Sequence, residues 1–119
     1  MVLSRVPEIK RGQVWHVALD PAIGSEQAKT RPCVIVQRDA ANATSPVTIV
    51  CPLTDAQGST GSVIAVKVAK GEAGLKKDSL VLCNQVRTVS HRRLQRFDGV
   101  LKAETMQAIT RGLRVILDL

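Results

Sequence analysis

From residue 13 to residue 101 the apolar positions come in short runs of period two, each cut off by turn residues. That pattern confines the chain to strands joined by tight connections, because alternation buries one face of a strand and leaves a helix without a continuous apolar side. In residues 13–19, Trp15, Val17 and Leu19 share one face, and Val14, His16 and Ala18 share the other. Asp20-Pro21 ends this first strand, since proline has no N–H to give to a ladder. Residues 32–37 read as a buried strand rich in β-branched side chains, and residues 47–53 as the next. Residues 62–68 alternate, with Val63, Ala65 and Lys67 against Ile64, Val66 and Val68. Residues 79–89 form one strand or a pair of short ones, and residues 97–101 a last strand. Breaks fall at residues 42–46, 57–61 and 71–77. Ser90 is placed to cap a short helical turn running to Leu94.

The C-terminal segment changes period. Met106, Ile109, Leu113 and Ile116 recur at spacings of three and four, which draws an apolar stripe along a helix. Arg111 and Arg114 lie off the stripe, toward the helix C-terminus, where positive charge is favourable by about 0.3–1 kcal/mol. Gly112 costs about 1 kcal/mol relative to Ala in a helix interior. A close approach to a sheet or to another helix would account for it. Several short strands followed by one helix predict a mainly β fold with helices, a small antiparallel β-barrel closed off by a C-terminal α-helix.

At 119 residues the chain is long enough to bury a core without staples, and a single domain over 1–119 is expected. Its 45% apolar and 23% charged residues are ordinary for a globular protein. A formal net charge of +7 points to an anionic partner, a nucleic acid or an acidic protein. One Trp, one Phe and no Tyr leave little for stacking bases, so contacts to a nucleic acid would rest on charge and hydrogen bonds. Three cysteines, Cys33, Cys51 and Cys83, lie in strand-like surroundings without C-x-x-C spacing. They read as buried, reduced thiols, which fits a cytoplasmic location, and no metal is expected to be ligated. No run approaches the roughly 20 apolar residues of a membrane-spanning helix, and the N-terminus lacks a signal-peptide apolar core. No glycine-rich phosphate loop or paired-carboxylate site is present, and no cofactor is expected.

Arg31 carries the sharpest chemical suggestion. The Pro32 that follows biases its backbone toward extended geometry, at the mouth of a strand. A guanidinium there offers a planar fork of donors that matches phosphate, or it pairs with a carboxylate such as Asp39 or Glu26. Thr54 follows the apolar run 49–53, so its hydroxyl falls at a strand end, to donate to an oxyanion or to cap a turn before Asp55. Residues Gly24, Ser25, Glu26 and Gln27 form a polar loop, a connector or a substrate contact. In Gln85-Val86-Arg87-Thr88, alternation places Gln85 and Arg87 on one strand face, suited to base-edge and phosphate contacts or to a carboxylate such as Asp78. Two histidines raise the question of acid–base cleavage. His16 faces away from Trp15 beside nothing evidently catalytic, and His91 opens the basic run His91-Arg92-Arg93.

The combination of Lys10-Arg11-Gly12, the Gly24-Ser25-Glu26-Gln27 loop leading to Arg31-Pro32, and Gln85-Val86-Arg87-Thr88 resembles the MazF/PemK family of toxins. The resemblance runs from Glu8 to about Asp118. It implies an SH3-like barrel and a toxin of a type II toxin–antitoxin system: a sequence-specific endoribonuclease that cuts single-stranded RNA, most often mRNA, without a metal. It implies Arg31 and Thr54 as the catalytic pair, and Gly24, Ser25, Glu26, Gln27, Gln85, Arg87 and Thr88 as RNA-binding residues. Products would carry a 2′,3′-cyclic phosphate and a 5′-hydroxyl. Arg31 would stabilise charge and donate to the leaving oxygen, because a neutral guanidine base is costly. A homodimer and an acidic MazE-like antitoxin are the implied partners. Two alternatives stand beside it. A CcdB-like toxin that binds DNA gyrase is disfavoured by a C-terminus, residues 116–119, without Trp. A non-catalytic RNA-binding module is disfavoured by the scarcity of aromatic residues.

Overall fold

A computed structural model describes residues 7–19 and 30–119. Seven strands and two α-helices follow one another: β1 (Gln13–Ala18), β2 (Thr30–Ile35), α1 (Asp39–Asn42), β3 (Val47–Asp55), β4 (Ala65–Val68), β5 (Ser79–Leu82), β6 (Arg87–Ser90), β7 (Leu94–Val100) and α2 (Ala103–Leu117). Every strand pairing is antiparallel, in the order β4-β5-β3-β2-β1-β7, with β6 added to β3. The path ends at β4 and β7, so the sheet is a barrel that is not strictly closed.

The nine residues of β3 hold this arrangement together. Its first half pairs with β6, Val47↔Ser90 through Val50↔Arg87, and its last three residues pair with β5, Leu53↔Val81 through Asp55↔Ser79. A 3₁₀ turn at Cys83–Gln85 carries the chain from one partner position to the other. Residues 79–89 are therefore two strands. The expectation that Gln85 and Arg87 share a strand face is corrected, because Gln85 sits in the turn, where period-two alternation does not apply.

Other boundaries move for local reasons. Thr54 and Asp55 extend β3 instead of following it. Residues 62–64 drop out of the strand expected at 62–68, because Ser62 N–H bonds Ala65 O and Ala65 N–H bonds Ser62 O, which closes a turn. β2 starts and ends two residues early, since Val36 N–H and Gln37 N–H both turn to Ile49 O. Asn42, expected in a turn, ends the single helical turn α1, where its buried amide takes a 2.6 Å bond from Thr48 Oγ1. Ser90 Oγ does accept from Arg92 N–H and caps the 3₁₀ turn His91–Arg93.

Alternation splits the apolar residues into two buried clusters, one on each side of β1–β3. Val14, Val34, Cys51 and Leu53 pack with Val81 and with Ile109 of α2. Trp15, Val17, Cys33, Ile35, Val50 and Val89 form the second cluster. Of the helical stripe, Ile109 is fully buried and Met106 and Leu113 are half-buried, while Ile116 at the end is exposed. Gly112 marks where α2 meets the turn before β4 and the 3₁₀ turn after β5: a Cβ there would lie 2.6 Å from Val63 O and 2.7 Å from Cys83 Sγ. Arg11, part of the basic Lys10-Arg11-Gly12 motif, ties the fold together. Its guanidinium donates to Val36 O and Thr110 Oγ1, and its N–H donates to Asp39 Oδ1.

Candidate active site

Where β1, β2, β3 and β7 come together, the sheet leaves a cavity of about 390 Å³. Arg31 and Thr54 both line it. Arg31 lies on β2 opposite Val17 of β1, half-buried, and its Nη2 donates to Leu53 O at 3.2 Å. That bond ties the guanidinium to the residue before Thr54, so one strand end of β3 positions both groups. Asp39, one of the carboxylates expected to compete for Arg31, instead accepts from Arg11 N–H, which holds its carboxyl below the usual carboxylate range. Thr54 is paired with Leu80 of β5 and half-buried, so its hydroxyl is presented from a strand and not from a turn.

The charged part of the wall is mostly basic. Lys76, Lys77 and Arg96 join Arg31, set against Asp55 and Asp98. Lys77 Nζ approaches Asp55 Oδ2 at 3.4 Å. The Gln57 N–H above all keeps the Asp55 carboxyl below its ordinary range, against desolvation and with help from Lys77. Four cations around a hollow of this size suit one or two phosphate groups.

The structure adds a histidine that sequence reasoning set aside. His16 is not beside nothing: it lines the same cavity, and its Nδ1 lies 2.5 Å from Asp98 Oδ2. Arg96 Nε donates to the other Asp98 oxygen at 3.0 Å. The cause is the register of β1 on β7. Val14 pairs with Gly99 and Trp15 with Phe97, so Asp98 is an extra residue in a bulge, and His16 then pairs with Arg96. The connection Glu72–Gly74 backs Asp98 closely. A Cβ on Gly74 (φ +74°) would lie 2.6 Å from Asp98 O, and one on Gly99 would lie 2.7 Å from Ala73 Cα. Only glycine allows both approaches, and they leave the Asp98 side chain 10% exposed. Alternation in residues 13–19 placed His16 opposite Trp15, but no signal in the sequence says that β7 lies beside β1 or that it bulges at residue 98.

The other expected site residues are dispersed. Gly24, Ser25, Glu26 and Gln27 lie outside the described residues. Gln85 and Thr88 are exposed, Arg87 is half-buried on β6, and none of the three lines the cavity. Arg87 and Arg31 both lie near enough to Cys33 to favour its thiolate, yet burial outweighs them and pushes the thiol up to about 12. Burial pushes Cys51 up to about 12 as well and raises Cys83, so all three are unreactive free thiols in the core. Among the described residues no group of three His, Cys, Asp or Glu side chains could hold a metal ion, and no helix is long and apolar enough to cross a membrane.

An open antiparallel barrel with a C-terminal helix thus frames a cavity that bears Arg31 and Thr54. Residues 10–117 match the family described as PemK-like, MazF-like toxin of type II toxin–antitoxin system. The chain is 36% identical over 111 residues to the endoribonuclease MazF of Staphylococcus epidermidis, covering 93% of this chain and 92% of that one. Among solved structures it superposes on an endoribonuclease in complex with its cognate antitoxin from a mycobacterial species (TM-score 0.75, 22% identity, 93% of this chain and 96% of that one). It also superposes on MazF from Deinococcus radiodurans (TM-score 0.76, 21% identity, 98% and 100%). The chain belongs to the PemK-like, MazF-like toxins of type II toxin–antitoxin systems.

Proposed function

We propose that this toxin endoribonuclease cuts single-stranded RNA, mRNA above all, at a defined sequence by metal-independent transesterification, with Arg31 and Thr54 as its catalytic pair. The observation that carries the reading is their joint presence on one basic cavity, with Arg31 steadied by Leu53 O at the strand end that presents Thr54. Attack of a 2′-hydroxyl on the adjacent phosphorus places extra negative charge on the phosphoryl oxygens. A guanidinium fork and a hydroxyl, already oriented, stabilise that charge without reorganisation. The guanidinium also hydrogen-bonds the departing 5′-oxygen, which leaves as a hydroxyl beside a 2′,3′-cyclic phosphate.

Residues 1–119 act in this reading as one toxin domain in the cytoplasm. Gly24, Ser25, Glu26, Gln27, Gln85, Arg87 and Thr88 extend RNA contact beyond the cavity, along a homodimer. A net charge of +7 supports both RNA and an acidic MazE-like antitoxin as partners, and a structural neighbour is described in complex with its cognate antitoxin.

The test is cleavage of a single-stranded RNA in excess chelator, with the product ends identified. Activity persists, the ends are cyclic phosphate and 5′-hydroxyl, and Arg31→Ala lowers kcat by about 10²–10³-fold, the usual loss for one oxyanion donor. Activity abolished by chelator, or undiminished in folded Arg31→Ala, overturns the proposal.

A further inference from the structure

The mechanism above lacks a group to take the proton of the attacking hydroxyl. A guanidinium cannot serve, since it stays protonated, and Thr54 is itself a hydroxyl. His16 is the imidazole on the wall of the cavity that holds Arg31 and Thr54. Its side chain is 28% exposed, open enough to meet a substrate and enclosed enough to be oriented.

Its protonation pattern follows from its partner. An ionised carboxylate can only accept, so the 2.5 Å contact to Asp98 Oδ2 assigns the hydrogen of a neutral ring to Nδ1. Nε2 is then the unprotonated nitrogen. Arg96 Nη2 lies 3.1 Å from Nδ1 and 3.3 Å from Nε2. A donor nearly equidistant from both ring nitrogens lies over the ring face, not on the in-plane lone pair of Nε2. Arg96 also binds Asp98 Oδ1, so Asp98 is held from two sides and holds the imidazole in turn. A base oriented by a half-buried carboxylate is an arrangement suited to proton transfer. Arg96 and Asp98 of β7 touch this imidazole, and the other charged groups on the cavity wall are Arg31 from β2, Asp55 from β3, and Lys76 and Lys77 from the segment before β5.

We propose that His16 is the general base of this site, with Asp98 as its positioning residue. This rests on the reading of the cavity as an RNA-cleaving site. Nε2 takes the 2′-hydroxyl proton as the 2′-oxygen bonds to phosphorus and the bond from phosphorus to the 5′-oxygen breaks. The 5′-oxygen takes a proton from water, and the imidazolium returns its proton to the hydroxide left behind, so protein and medium end as they began.

The experiment measures kcat and KM for a single-stranded RNA across pH 5–9, with chelator, for the wild type, His16→Gln, Asp98→Asn and Arg31→Ala. Far-UV circular dichroism and urea midpoints establish folding. The wild type shows an acid limb in kcat, since a general base must be unprotonated to act. His16→Gln loses about 10²–10⁴-fold in kcat, the usual worth of a general base, with KM little changed, and its acid limb disappears. Asp98→Asn lowers kcat with KM little changed, because the imidazole loses the acceptor that orients it. If folded His16→Gln keeps its kcat and acid limb while Arg31→Ala is inactive, the base assignment falls and the nuclease reading stands. An Asp98→Asn enzyme with undiminished kcat overturns the positioning role. A wild type that cleaves no RNA overturns both readings together. Should His16→Gln not fold, the kcat values of His16→Asn and Asp98→Asn decide the matter.

Discussion

Gly112→Ala sets two effects of opposite sign against each other. In an isolated helix, replacing an interior glycine with alanine stabilises by about 1 kcal/mol. Here the new Cβ would meet Val63 O at 2.6 Å and Cys83 Sγ at 2.7 Å. Carbon and a carbonyl oxygen do not normally approach closer than about 3.3 Å, so α2 must retreat by about 0.7 Å. The neighbours cannot move out of the way cheaply, because one is backbone and the other is a fully buried side chain. Overpacking of this kind costs about 1–3 kcal/mol. The retreat also opens a gap around Ile109, which is fully buried one turn away; a gap of that width forfeits about a quarter to a half of the dispersion contacts there. The steric term wins, and the expected net loss is about 1–2 kcal/mol. That is roughly 4–8 °C in Tm per kcal/mol for a domain near this size. Urea denaturation of Gly112→Ala beside Arg111→Ala, an exposed control expected within about 0.5 kcal/mol of wild type, measures it. Cys83→Ala in the same background relieves one of the two clashes, so the double-mutant cycle should show favourable coupling above about 0.5 kcal/mol. A Gly112→Ala protein more stable than wild type by about 1 kcal/mol would refute the claim that α2 is pressed against Val63 and Cys83 at this residue.

Two further outcomes follow from charge and burial. Burial pushes the Cys33 and Cys51 thiols from 9.0 to about 12 in the folded chain, so above pH 9 the unfolded chain gives up protons that the folded one keeps. Their contribution is complete below pH 9 and is lost as pH rises toward 12, by about 1.4 kcal/mol per pH unit for each thiol. Urea midpoints that stay flat from about pH 8 to about pH 10.5 would contradict it, and with no Tyr in the chain no phenol obscures the reading. For RNA binding, Lys76→Ala and Lys77→Ala should each reduce the slope of log Kd against log salt by about 0.7, the single-strand value per phosphate contact. An unchanged slope in both variants would place the phosphate path elsewhere.

The period-two runs and the terminal stripe made the strands and α2 legible, because alternation and helical spacing are local consequences of which face is buried. Arg31 and Thr54 were legible as candidates through their place at strand ends and the family resemblance of the motifs around them. What could not be read was which strands become neighbours. β6 and β5 share β3 only because the Cys83–Gln85 turn shifts the chain along it, and that shift removed Gln85 from the face of Arg87. Gly112 was visible as an anomaly, but its reason lies in Val63 and Cys83, which are distant in the chain. The same holds at the cavity. Alternation set the direction of the His16 side chain, whereas the carboxylate that meets it arrives from 82 residues away through a bulge and two glycine approaches. Local backbone sterics and burial period decide what each segment becomes. Long-range pairing register decides which side chains share a cavity, because a one-residue slip on β7 would turn Asp98 to the other face of the sheet.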